Sequence, residues 1–421
     1  MSNIILANLE SPLLDALNKT NKTDIAYTLQ ENFPNLAINK YTLSPNPVGA
    51  TTGLDISGST ITFQLPRNGI LCNLTVESTI VNGLVLNTPA ITGDATHQQP
   101  SYLGLSLFSR IDLLSNNVIL ATQSDSYLRV RTETADLVKA LRVKKITRAF
   151  STDKYTLASA WATTVAIVTY TPVYFSLFER VESMLDLSFV QNLVLQLTVN
   201  TFANMGLAGS LTSITPLLHA KYFTLGANDT LALRARNYGS GNPYLALGYS
   251  TYTETAQLAD GLTTVNLYPQ CQNAVFRTHI YLKNRNTNMQ LAIKNLTVSM
   301  AGVNIMNNIP TVVMQYEQEF WQGGGLLSFD QYQTSLLTGG TVTNPIVYMG
   351  RGDNEPVSIY WGLQPDRTYN SGAVSYHNIT NLTFTLTTAA TSTTDYYIVH
   401  EFYQMLAVNA SSGDVSVSAS S

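Results

Sequence analysis

The chain has 421 residues, a length that suits two domains better than one. It is 45% hydrophobic and only 12% charged, with a net charge of −4, whereas about a quarter of an ordinary soluble domain is charged. Disorder needs low hydrophobicity and high charge, so a wholly disordered chain is excluded, and the global charge gives no sign of nucleic-acid binding.

The first residues, with Ile4, Ile5, Leu6, Leu9, Leu13, Leu14 and Leu17, predict an amphipathic helix limited by Pro12. It would lie on a membrane, on a partner or on its own domain. It lacks a basic leading segment, and Glu10 and Asp15 interrupt it, so it does not read as a secretory signal. No run approaches the ~20 apolar residues of a membrane span. Strands follow, with apolar and polar residues alternating over 59–65 and 70–80 around the turn 66–69. After the loop 82–104 come a strand over 105–114, a turn at Ser115, Asn116 and Asn117, and a short strand 118–120. Residues 124–141 predict a helix with Tyr127, Val130, Thr134, Leu137, Val138 and Leu141 on one face, capped by Ser124 or Asp125. Strands are expected again over 171–175, 194–199, 276–282 and 382–386, with a second helix over 310–321 opened by Pro310.

An internal repeat organises these elements. Residues 60–63 with Pro66 echo 264–267 with Pro269. The segment 105–120 echoes 291–306, Pro172 echoes Pro356, and 192–198 echoes 381–387. The offset falls from 203 at the first proline pair to 184 at the second, and the longer loop 82–104 accounts for most of the difference. The reading is an all-β chain of two eight-stranded antiparallel jelly rolls with short helices in loops. The first roll spans 36–205 and the second 241–406, with an arm 1–35, a linker 206–240 and a tail 407–421. Within these, residues 1–30 and the small polar stretch 411–421 are expected to face partners rather than the cores.

Candidate chemistry is sparse. Arg129, Arg131, Lys139, Arg142, Lys144, Lys145 and Arg148 are seven of the chain's 23 basic residues. They form either a contact for anionic lipid, genome or an acidic neighbour, or a solvated helix face. Arg351-Gly352-Asp353 reads first as a polar turn and second as an adhesion motif. His97, His219, His279, His377 and His400 have no metal-ligand spacing. Glu317 and Glu319 would face different ways on a helix, Asp353 and Glu355 fall in a turn, and Gly323–325 lack the Lys-Ser/Thr of a phosphate loop. No catalytic set or cofactor site emerges. Cys72 and Cys271 are too few and too far apart for a disulfide framework, which suggests reduced thiols and synthesis in the cytosol. The eight Asn-x-Ser/Thr sequons are what an Asn- and Thr-rich chain contains by chance.

Several passages together resemble the double jelly-roll major capsid proteins of the lineage that contains tectivirus-type phages, adenoviruses and virophages. They are the apolar segment 4–17 before the arm 32–41, and the run 107–117 leading into the helix at Ser124. The others are strand 171–175 with the closing strand 193–199, and the stretch 395–403 near the end. The resemblance implies two upright rolls per chain and homotrimeric capsomers of nearly hexagonal outline. These would tile an icosahedral virion shell assembled inside the host cell. Neighbouring capsomers and minor or penton proteins are the implied partners, with an internal membrane reached through the N-terminal arm. It implies a structural subunit and no enzyme. The competing readings are a secreted or surface carbohydrate-binding or adhesin-like β-sandwich and a glycoside-active enzyme. The second would need two carboxylates converging in a cleft.

Overall fold

The computed structural model describes residues 37–46, 56–67, 69–80, 84–86, 103–134, 167–178, 190–201, 204, 207–209, 213–224, 226–228, 231, 244–285, 290–291, 293–311, 313–314, 356–362, 372–388, 394–409 and 412–419. The expected features at 1–35, His97, Lys139–Arg148, 315–325 and 351–355 lie outside them.

The first half supplies β1 (Ala37–Leu43), β2 (Thr60–Gln64), β3 (Ile70–Ile80), β4 (Leu84–Leu86), β5 (Phe108–Ser115), β6 (Val118–Ser124), β7 (Ile167–Val173), β8 (Leu193–Val199), β9 (Leu207–Gly209) and β10 (Ile214–Thr224). A helix, α1 (Asp125–Glu133), follows β6. One four-stranded sheet runs β1-β10-β3-β7 and its partner runs β2-β8-β5-β6, while β4 and β9 pair separately. The second half supplies β11 (Tyr244–Gln257), β12 (Thr264–Leu267), β13 (Ala274–Asn284), β14 (Gln290–Leu291), β15 (Ile293–Met300), β16 (Val303–Pro310), β17 (Val357–Tyr360), β18 (Val374–Ser375), β19 (Thr383–Thr388), β20 (Thr394–Val408) and β21 (Val415–Ala419). Its sheets run β11-β20-β13, with β17 on β13, and β12-β19-β15-β16. The two halves therefore have one strand order, and each is a jelly roll.

The ladders fix the correspondence residue by residue. Leu74 pairs Ala220 and Val173 in the first roll, and Thr278 pairs His400 and Ile359 in the second. Both β6 and β16 carry a one-residue bulge, at Leu120 and Ile305. The two-residue turn before each has left-handed backbone, Asn116 and Asn117 (φ 47° and 67°) and Ala301 and Gly302 (φ 50° and 80°), as a twisted two-residue hairpin requires. Asn192 and Asn381 repeat the same device before β8 and β19. Pro66 and Pro269 each lie two residues past the second strand, in matching turns. Pro172 and Pro356 mark the same strand of each roll. Pro172, however, sits inside β7 opposite Thr75, and the register equates it with Ser358, opposite His279. Among the described residues β7 is an edge strand, so it tolerates the missing N–H.

Alternation buries one face of each strand. Ile61, Phe63, Leu74, Val76, Leu195, Leu197, Leu218 and Ala220 interleave in the first core. Val265, Leu267, Ile280, Leu282, Leu296, Val298, Phe384, Leu386 and Ile398 do so in the second. Gly69 (φ 81°) closes the turn into β3, where a Cβ would meet the Phe223 carbonyl oxygen.

Three expectations are corrected. The stretch 206–240 does not merely link the rolls: it contributes β10, which pairs β1 and β3 and completes the first roll. The tail does not face away from the cores, because β21 pairs β20 and buries Val415 in the first roll's core beside Leu406 and Val408. Pro310 precedes the second helix and does not form its first turn. It ends edge strand β16 opposite Asn295, and helical backbone begins at Thr311. The helix starts at Ser124 as the spacing predicts, with Ser124 Oγ accepting from the Tyr127 N–H at 3.0 Å, but it ends at Glu133 with Thr134 as its cap, and Leu137, Val138 and Leu141 lie outside the described residues. Cys72 in β3 and Cys271 in the loop before β13 are free thiols, and burial pushes both up to about 11.

Candidate functional site

Interest centres on the junction of the rolls and on the sheet β11-β20-β13-β17 beneath it. Helix α1 lies against the outer face of that sheet. Tyr127 and Val130 pack with Tyr249, Phe276, Tyr281 and Val399. The edge of β6 meets β11 and β20 through side chains: Thr251 Oγ1 donates to the Thr122 carbonyl (3.3 Å), and Gln404 Nε2 donates to the Leu120 carbonyl (2.6 Å).

Two of the seven basic residues fall here. Arg129 is only 3% exposed and lies among Tyr281, Tyr397 and Lys283, whose ionisation it affects. Arg131 donates to the hydroxyls of Tyr127 (3.0 Å) and Tyr249 (2.9 Å), and its guanidinium sits 4.6 Å above the Tyr174 ring. Both therefore engage the junction rather than a solvated helix face. The other five lie outside the described residues.

Lys283 is buried against the Tyr397 ring, 3.4 Å from the Asn204 carbonyl. Burial, aided by Arg129, lowers its ammonium to about 8. Because the folded value lies below the unfolded 10.5, the chain bears a penalty at neutral pH that lifts as pH rises from 8 to 10.5. Lys283→Met is expected to raise stability at pH 7 by about 2 kcal/mol, with the gain fading towards pH 10.5. Denaturant midpoints across that range are the check.

The same sheet holds two hydroxyl–imidazole–carboxylate chains, one on each face. On the outer face His279 Nδ1 lies 2.6 Å from Ser358 Oγ and its Nε2 lies 2.9 Å from Glu401 Oε1. Arg277, 1% exposed, approaches Glu401 at 3.9 Å and stacks on Tyr360. On the core face His400 Nδ1 lies 3.2 Å from Thr278 Oγ1 and its Nε2 lies 3.1 Å from Glu254 Oε1. The residue types are those of a nucleophilic triad. Thr278, His279 and His400 are nevertheless 0% exposed, so neither chain can meet a substrate. Sequence reasoning missed both chains because their members come from separate strands, and no local spacing signals them. Of the other described histidines, His219 pairs with Glu77 at 2.9 Å and His377 is exposed. Among the described residues no three His, Cys, Asp or Glu side chains are grouped to hold a metal.

No family model and no curated protein matches the sequence. Solved structures do match in fold. The capsid chain of the PBCV-1 virus superposes with a TM-score of 0.66 at 12% identity, covering 91% of this chain and 97% of that one. The Faustovirus major capsid protein gives 0.56 at 10% identity, covering 88% and 90%. The mavirus major capsid protein gives 0.51 at 10% identity, covering 95% and 92%. The chain thus has the double jelly-roll fold that these three share.

Proposed function

We propose that this chain is a viral major capsid protein, a structural subunit of the virion and not an enzyme. Its homotrimers would form pseudo-hexagonal capsomers that tile an icosahedral shell. The observation that carries this reading is the tandem of two rolls with one strand order and one ladder register, together with its match along nearly the whole PBCV-1 capsid chain.

Pseudo-symmetry supports the trimer. Within the chain, β6 of the first roll, with Leu120 1% exposed, meets β11 of the second, with Tyr249 3% exposed. The ladder register equates Leu120 with Ile305 on β16 and Tyr249 with Ile38 on β1. Those counterparts are open, at 48% and 55%. The internal contact is head-to-tail, so its two unused halves fit each other only between chains, and such a contact closes a ring where its rotation returns to the start. Three chains would set six similar rolls around one axis.

Neighbouring capsomers and minor or penton proteins would meet the rest of the surface. The arm 1–35 is assigned to an internal membrane where one lies beneath. Lys139, Arg142, Lys144, Lys145 and Arg148 remain the basic residues for an anionic lipid, genome or acidic neighbour, since Arg129 and Arg131 are engaged inside. Light scattering of the purified chain should give three times its 46.0 kDa, and negative stain should give a nearly hexagonal outline. A monomer at every concentration, with no lattice in the source particle, would overturn the proposal.

A further inference from the structure

We propose that the buried chain Trp361/Tyr376–Thr278–His400–Glu254 is an acid-sensitive catch: it holds the second roll closed while His400 is neutral and opens that roll, ahead of the first, when His400 takes a proton. The inference concerns the fold and stands whether or not the chain is a capsid protein.

One arrangement of the hydrogen bonds gives every donor in the chain an acceptor. Glu254 Oε1 accepts the N–H groups of Gln270 (2.8 Å) and Cys271 (2.9 Å), so it acts as an acceptor and His400 Nε2 carries the hydrogen presented to the same oxygen. Trp361 Nε1 is a donor only, and it points at Thr278 Oγ1 from 3.2 Å. Tyr376 OH lies 2.6 Å from that oxygen. Tyr376 and Thr278 can each donate to the other; when Tyr376 donates, both lone pairs of Thr278 are taken and its one proton goes to His400 Nδ1. A second ring proton on Nδ1 would turn the Thr278 proton to Tyr376, and the Tyr376 hydroxyl proton then loses its acceptor in this chain of bonds. The chain is complete with neutral histidine and broken by imidazolium.

The groups facing His400 are few. On β11 they are Glu254 and Tyr252, the latter ring stacked at 6.4 Å. On β13 there is Thr278, with Tyr376 packed edge-on at 5.3 Å and Cys271 nearby. Glu254 is the one charge acting on it among the described residues, and it favours the imidazolium. Burial acts the other way and is the larger effect, so the ring is held below its ordinary 6.5. With the folded value depressed, stability is full above 6.5 and falls as pH drops below it, because the unfolded chain takes a proton the folded one resists. Glu401, His279 and Arg277 occupy the opposite face of the sheet.

The first roll indicates that the fold does not require this chain. By ladder register Glu254, Thr278 and His400 correspond to Leu43, Leu74 and Ala220. The same scaffold is thus built there with apolar groups, of which Leu74 and Ala220 are buried in the core. A buried polar set retained where packing would suffice points to a switch rather than to stability. The first roll's own histidine, His219, pairs with Glu77 near the surface and its side chain is 38% exposed, so it belongs to no buried chain of this kind.

Amide hydrogen exchange of the full-length chain at pH 7.5 and pH 5, corrected for intrinsic rates, tests the catch. Peptides from β11, β13 and β20 should lose protection at least tenfold at pH 5, while those from β3 and β5 hold. His400→Gln, which bonds on both sides but does not titrate, should remove that difference. Deuterium exchange at the imidazole carbon of the unmutated chain gives a second reading that needs no variant, and His400 should titrate below 6.5. Equal loss in both rolls, an undiminished response in His400→Gln, or a His400 that titrates at or above 6.5 would each overturn the proposal.

Discussion

Val415→Asp is expected to lower stability by about 4 kcal/mol and to loosen the first roll, although residue 415 lies at the far end of the chain from that roll. The first half of β20 pairs β13 inside the second roll. Its last residues, Gln404–Val408, turn back through β21. Leu406 and Val408 enter the first core with Val415, and Val417 packs against it. The hairpin is pinned by Asn116 Nδ2 to Asp414 Oδ1 (3.1 Å) and by Gln191 Nε2 to the Ser412 carbonyl (2.7 Å). An aspartate at 415 loses the apolar contact and leaves a carboxylate among leucines with no donor to meet it. Ser416→Asp, one residue on and exposed on the strand's other face, should change stability by less than ~0.5 kcal/mol. Denaturant unfolding of the pair is the measurement. Equal effects from the two variants would mean that the tail does not belong to the first core.

Ile305→Arg is expected to abolish the trimer and leave the monomer's melting temperature unchanged. Ile305 is half exposed on edge strand β16, so an arginine there costs the monomer little. In the proposed contact it would face the β1 surface around Ile38 of another copy, and a charge trapped there without a partner weakens association about a hundredfold or more. Ile38→Glu should do the same from the other side. Because the contact is head-to-tail, one chain carrying both changes presents a complementary pair at every junction and should recover its trimer. Sedimentation of the singles and the double decides the matter. Singles that remain trimeric, or a double that remains monomeric while folded, would place the interface elsewhere.

The strands were legible because burial on one face writes a period of two into the chain. Thr60–Gln64 and Leu193–Val199 carry it plainly. The turns were legible because a two-residue hairpin needs left-handed backbone, and Asn116, Asn117 and Gly302 supply it at low cost. The order of those local signals, repeated, was enough to give the double jelly roll.

Local pattern could not say which strand pairs with which. Ile214–Thr224 alternates as well as any strand, yet its place in the first roll follows only from its partners β1 and β3. The tail reads as solvent-facing because Ser and Gly surround Val415 and Val417, and the core that buries Val415 and packs against Val417 is built mostly of residues between 56 and 222. Arg129 and Arg131 look like a charged helix face, but the second roll's tyrosines turn them into junction residues. Glu254, Thr278 and His400 have no common motif, and neighbouring strands alone bring them within hydrogen-bonding distance. Period and turn chemistry are properties of adjacent residues, so the sequence by itself determines them. Register, burial of charge and the direction of a hydrogen-bond chain depend on what the far side of the sheet supplies, and only the tertiary structure decides those.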